Sequence, residues 1–198
     1  MHATPIASVL SIDMIIGWLN TRAFGLYAGE AVTQLQHALQ CAALAQAESA
    51  GASLTAAALL HDIGHLAVGD GEGAGTGEVD AVRPHGALAA ALLGNLFGPA
   101  VTEPIRLHID AKRYLCAVDE RYWATLSEAS QKSLVWQGGA FTKDEVLVFC
   151  RKAFAKDAIR LRRWDDAAKV SGRATPVLAT FVPLLESIAM KEVAGSRA

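Results

Sequence analysis

Apolar positions along the 198-residue chain recur at helical spacing instead of alternating, and the periodic stretches are built largely of Ala, Leu, Gln and Glu. That pattern favours helix over strand, and β-branched alternation is nearly absent. It predicts helices at about 5–21, 30–50, 53–66, 84–97, 100–117, 119–125, 127–136, 142–150, 152–168 and 175–192. The expected fold is therefore all-α, a helical bundle forming one domain over residues 1–198. Gly51 is placed for a left-handed cap after the second helix, Ser53 for capping the third, and Gly138-Gly139 for stopping another. The last stretch sets Val177, Leu178, Phe181, Val182, Leu185 and Ile188 on one face, a packing strip that closes the core, with a partner interface as the second option.

One segment breaks the helical pattern. From Gly69 to Pro84, glycines at 69, 71, 73, 75 and 77 alternate with acidic and small residues. The spacing is not that of a phosphate-cradling loop, which also needs a preceding strand. It reads as a surface loop, with a lid role as the alternative.

Composition narrows the partners. With 18 basic and 20 acidic residues, no general field points toward nucleic acid or an anionic membrane. Cys41, Cys116 and Cys150 are an odd number at wide spacing without a Cys-x-x-Cys pair, which fits a reducing, cytoplasmic setting. The apolar run from Ile6 to Leu19 carries Asp13 and lacks a basic leader, and no window reaches the ~20 apolar residues of a membrane span. Oligomeric state leaves no trace in the pattern.

Chemistry enters with the histidines. In Leu59-Leu60-His61-Asp62-Ile63-Gly64-His65, a His-Asp pair interrupts an apolar helix. Burying both without partners costs several kcal/mol. A metal ion compensates both at once, since it takes the imidazole nitrogen and balances the carboxylate. Such ligands suit iron, manganese, zinc or nickel, and the lack of nearby thiolates argues against structural zinc. His37, His85, His108 and Asp165 are the candidates that complete the set.

The order His, His-Asp, His, His, Asp resembles the HD-domain superfamily, whose side chains converge from separate helices on one or two metals. His85 and His108, lying between the second and last elements, imply a dinuclear site with Asp62 bridging. A closer resemblance spans roughly residues 24–170. Tyr27-Ala28-Gly29-Glu30, Gln34-Leu35-Gln36-His37, Ala58 to His65, Ala111-Lys112-Arg113-Tyr114-Leu115, Ser127-Glu128-Ala129-Ser130 and Gln137-Gly138-Gly139 resemble the PhnZ type of oxygenase. That resemblance implies a mixed-valent Fe(II)/Fe(III) pair and O2 as co-substrate. It also implies a small phosphonate substrate: a 2-aminated 1-hydroxyethylphosphonate, either (R)-2-amino-1-hydroxyethylphosphonate or its N-trimethyl analogue. The products are then glycine or glycine betaine plus phosphate. The rival is an HD-type phosphohydrolase acting on phosphomonoesters or nucleotides.

The resemblance also assigns roles beyond the metal. Lys112, one helical turn after His108, faces the same way and is suited to holding an anion beside the metal. His65, one turn after His61, and Arg162, three residues before Asp165, are expected as phosphonate donors. Ser130, Ser133 and Gln137 continue that contact surface. Tyr27 and Glu30 are expected as a gate, with the acid meeting the substrate amine; a carboxylate serving a helix dipole is the alternative for Glu30. Tyr27, Glu30, His65 and Lys112 form the expected catalytic set. Cys41, one turn after His37, is left out of it as a small buried residue.

Overall fold

The computed structural model describes residues 10–27, 30–67 and 85–190, and among these every regular element is helical. Helix α1 (Ile12–Thr21) begins at Ser11, whose hydroxyl accepts the Met14 amide. Helix α2 (Gln34–Ala47) begins four residues later than the pattern suggested, because Thr33 and Gln36 close a capping box there. The preceding chain doubles back instead of coiling. Leu26 and Thr33 form an isolated bridge, and Tyr27 N–H donates to Val32 O at 2.9 Å. Tyr27 and Glu30 thus sit on a tight turn over the start of α2.

The expected caps between the second and third helices are corrected. Ser49 (φ 53°), not Gly51, takes the left-handed conformation. Gly51 is extended and precedes α3 (Ala52–Leu60), so Ser53 lies inside the first turn and caps nothing. The helix expected over 53–66 is also two: α3 stops at Leu60, and α4 runs Ile63–Ala67. Adjacent residues on an unbroken helix diverge by about 100°. The turn at His61-Asp62 lets both side chains face one point.

Then follow α5 (His85–Leu93), the long α6 (Pro99–Val118), α7 (Tyr122–Thr125) and α8 (Glu128–Trp136). Gly138 and Gly139, both at positive φ, end α8 as expected. Helices α9 (Lys143–Cys150) and α10 (Ala155–Ala167) lead to a 3-10 turn (Leu178–Phe181) and α11 (Val182–Ile188). The last two replace the single helix expected over 175–192. Leu178, Phe181 and Leu185 do close the core, whereas Val177 is 66% exposed.

The main core joins α1 to α6, α10 and the C-terminal turns. Ala42, Ala45, Ala56, Ala57 and Ala58 have no exposed surface. These small residues let α2 and α3 pack closely, which explains why so much of the apolar composition is alanine. No helix among the described residues is long and apolar enough to cross a membrane. The glycine-rich loop expected between Gly69 and Pro84 lies outside the described residues.

Candidate metal centre

The six side chains expected as ligands come from α2, the α3–α4 turn, α5, α6 and α10, and all converge. His37 Nε2 lies 3.3 Å from His61 Nε2 and 3.4 Å from Asp165 Oδ1. On the other side, His85 Nε2 lies 3.1 Å from His108 Nε2. Asp62 stands between the two groups. Its Oδ2 is 3.3 Å from His61 Nε2, and its Oδ1 is 3.5 Å from His85 Nε2 and 3.9 Å from His108 Nε2.

Two glycines allow that approach. A Cβ on Gly64 would collide with the His85 carbonyl oxygen, so its absence lets α4 meet the start of α5. A Cβ on Gly86 would stand 2.9 Å from Ile105 O and 3.0 Å from His108 Cε1, so its absence seats α5 on α6. Asp62, His85 and His108 meet because neither residue has a side chain.

The hydrogen bonds show what the cluster lacks. The Nδ1 atoms of His37, His61 and His108 face the carbonyl oxygens of Ala168 (2.9 Å), Ala58 (3.0 Å) and Ile105 (2.6 Å). A proton on each Nδ1 leaves Nε2 as a bare lone pair aimed inward. Lone pairs then face each other across 3.3 Å, and buried Asp62 Oδ2 and Asp165 Oδ1 have no hydrogen-bond donor. That arrangement is repulsive unless cations sit within it, and an imidazole–carboxylate donor set fits transition-metal ions.

Electrostatics agree. Burial would raise Asp62, but His61 and then His85 hold it well below the usual carboxylate range. Asp165 is likewise held low, against burial, chiefly by Arg162. Burial pulls His61 down, yet Asp62, with Asp165 and the Ala58 carbonyl, outweighs it and raises this imidazole to about 9, a measure of how strongly the site favours positive charge. Burial, together with neighbouring His61, pushes His108 down to about 4.

Donor atoms of His37, Cys41 and His61 also lie close enough to hold an ion, as do those of Asp62, His65 and His85. Cys41 Sγ is 3.7 Å from His37 Nε2. Burial, then Asp165 and Asp62, push its thiol well above the ordinary value, which makes it a poorer donor than the carboxylates. His65 stacks on His85 with centroids 4.3 Å apart, beside the cluster as expected.

A second cluster, of cations, adjoins the first. Lys112, 2% exposed, donates to Ser133 Oγ at 2.7 Å, and burial with nearby Arg162 pulls its ammonium down to about 7. Arg162 is brought to the site, but its guanidinium is engaged. It pairs with Asp165 Oδ2 at 2.7 Å and with Asp166, and reaches Tyr122 and Ser130. It therefore braces Asp165 rather than pointing freely at a ligand. Gln137 closes the C-terminus of α8, its backbone N–H donating to Ser133 O.

Tyr27 stacks on His37 with centroids 3.9 Å apart, and it lines the same small cleft as Asp62. Burial, then Asp165 and Asp62, raise its phenol well above 10, so it stays protonated. Glu30 Oε1 pairs with Lys169 Nζ at 3.1 Å. Lys169 also donates to Ser127 Oγ and Ser130 Oγ, at 3.1 and 2.9 Å.

Lys169, Tyr122 and Asp166 escaped the sequence reading, and Ser127 entered it only as part of a matching string. Lys169 stands four residues after Asp165, the same spacing that singled out Lys112 after His108, so a signal existed. Nothing in the sequence ties Tyr122 to Asp166 across 44 positions.

The HD domain family matches over residues 35–135, and the chain belongs to it. A hydroxymethylphosphonate dioxygenase of Gimesia maris is 45% identical over 158 residues, 80% of this chain and 78% of its own length. A 1-hydroxy-2-(trimethylamino)ethylphosphonate dioxygenase (glycine-betaine-forming) of Leisingera caerulea is 35% identical over 182 residues, 92% of both chains. An uncharacterized protein, L432, of Acanthamoeba polyphaga mimivirus is 30% identical over 148 residues, 75% of this chain and 68% of its own length. Within the HD family the chain is an oxygenase of the PhnZ type, a class that works with a metal and O2.

Proposed function

We propose that the protein cleaves the carbon–phosphorus bond of a 1-hydroxyalkylphosphonate with O2, using two iron ions as an Fe(II)/Fe(III) pair. The carrying observation is the pairing of two clusters: lone pairs and carboxylates on one side, and Lys112, Arg162 and Lys169 around Ser130 on the other. His37, His61 and Asp165 would hold one iron, His85 and His108 the other, with Asp62 shared between the two groups. When bound, the irons supply Lewis acidity and the redox capacity for O2 chemistry.

This chain's own residues do the rest. Lys112, with Ser130 and Ser133, receives the phosphonate dianion; Lys112 and Ser130 are buried, and a buried charge acts strongly. Arg162 keeps Asp165 ionised and oriented. His65 stands beside His85 as a donor to a phosphonate oxygen, and Gln137 lies one turn beyond Ser133 on that side. Tyr27 covers the centre from the His37 side, keeping its proton, with Glu30 beside it as the second part of the gate.

In the balance, R–CH(OH)–PO3 dianion plus O2 gives a carboxylate, hydrogen phosphate and a proton. Two substrates fit the class. The aminated one expected from the sequence gives glycine, or glycine betaine when trimethylated. Hydroxymethylphosphonate, the substrate in the name of the Gimesia maris relative, gives formate. The Glu30–Lys169 ion pair favours the second.

The test is iron-reconstituted protein with each phosphonate, following O2 uptake and phosphate release together. Equimolar O2 consumption and phosphate release is the expected result. Phosphate release from phosphomonoesters with no O2 uptake would overturn the reading in favour of the hydrolase.

A further inference from the structure

A substrate that carries a cation needs an anion or an aromatic face to receive it. Among the described residues, the carboxylates around the centre are Asp62, Asp165, Asp166 and Glu30. Asp62 and Asp165 face the imidazoles, and Asp166 is held by Arg162 and Tyr122. Glu30 remains, and its Oε1 already lies 3.1 Å from Lys169 Nζ. The aromatic face is served from within as well, since the same ammonium stands 5.7 Å from the centre of the Tyr27 ring.

The pair is held in place. Glu30 and Lys169 side chains are only 15% and 10% exposed. Two hydroxyls from the start of α8, Ser127 and Ser130, accept from the ammonium, and Lys169 follows Asp165 by four residues at the end of α10. Its position is therefore tied to the Asp165 end of the metal cluster and to Ser130 together.

We propose that Lys169 is a specificity-determining residue: its ammonium fills the place beside Glu30 and Tyr27 that a substrate cation would take. The site then selects hydroxyphosphonates with a small uncharged C1 substituent and rejects 2-aminated ones. A second ammonium there would meet a like charge with one carboxylate between them, in a pocket of low dielectric. The proposal rests on the oxygenase reading for the identity of the substrate, and it departs from the aminated substrate expected from the sequence.

The test compares the iron-loaded wild type with Lys169→Met, which keeps the stem and removes the charge, and Lys169→Arg, which keeps the charge. Anaerobic calorimetry with methylphosphonate and 2-aminoethylphosphonate, which both lack the 1-hydroxyl, reads binding without turnover. O2-dependent phosphate release from hydroxymethylphosphonate and 2-amino-1-hydroxyethylphosphonate reads catalysis. The wild type and Lys169→Arg are expected to prefer the uncharged member of each pair by roughly 10- to 100-fold, and Lys169→Met to lose most of that preference. Equal affinity for both ligands in the wild type, or an unchanged ratio in Lys169→Met, overturns the role of Lys169. If the wild type releases no phosphate from either substrate, the oxygenase reading fails, while the two dissociation constants still decide the role of Lys169.

Discussion

The imidazole–carboxylate cluster and the cation cluster around Ser130 lie side by side and are opposite in need. The first carries lone pairs and carboxylate oxygens without donors and calls for positive charge. The second gathers Lys112, Arg162 and Lys169 and calls for negative charge. Arg162 is the joint, with one nitrogen on Asp165 and another on Asp166 and Ser130. The first cluster is not satisfied by its own residues alone, and in the second Lys112 has only neutral oxygens, of Ser130 and Ser133, as hydrogen-bond partners. That is the electrostatic form expected of a site that holds metal ions and then a dianion.

Four changes separate the two regions, in falling order of effect. Asp62→Ala removes the carboxylate whose two oxygens face the two imidazole groups. Activity should fall by roughly a thousandfold or more, and bound metal measured by elemental analysis should drop below the wild-type content. Arg162→Met leaves Asp165 and Asp166 buried without their cation. It should cost about 3–5 kcal/mol in denaturant unfolding and weaken iron binding as well, which would show that the joint serves both clusters.

Gly64→Ala acts on the metal side alone. The added methyl meets the His85 carbonyl, so a cost of about 1–3 kcal/mol is expected, with metal content falling below that of the wild type. Unchanged metal content would show that the approach of α4 to α5 does not shape the centre.

The smallest effect belongs to the cation side and is a pH effect. Burial, with Arg162 beside it, lowers Lys112 from 10.5 to about 7. Below that value the ammonium is charged and attracts a dianion; above it the charge is lost. Methylphosphonate affinity should therefore weaken as pH rises through 7, by at most about tenfold per pH unit. Binding measured from pH 6 to 9 checks the slope, which Lys112→Met should flatten.

The sequence alone determined that the chain is helical and pointed to six side chains that the structure brings together, because helical periodicity is local and a His-Asp pair in an apolar stretch is costly without an ion. The resemblance it carries also led to Lys112, Ser130 and Ser133. It misjudged details that depend on how helices meet. The break at His61-Asp62, the cap at Ser49 in place of Gly51, and the split of the last helix all follow from where the chain must turn to bring its elements together.

Only the tertiary structure decided what each charge faces. Arg162 was legible as a donor, yet whether it meets a ligand or Asp165 and Asp166 depends on the approach of α10 to the rest of the bundle. Glu30 was legible as an acid near the gate, while its partner Lys169 lies 139 positions away at the end of α10. Local pattern records which groups a segment brings, and the packing of α5, α6 and α10 sets which of them remain free for a substrate.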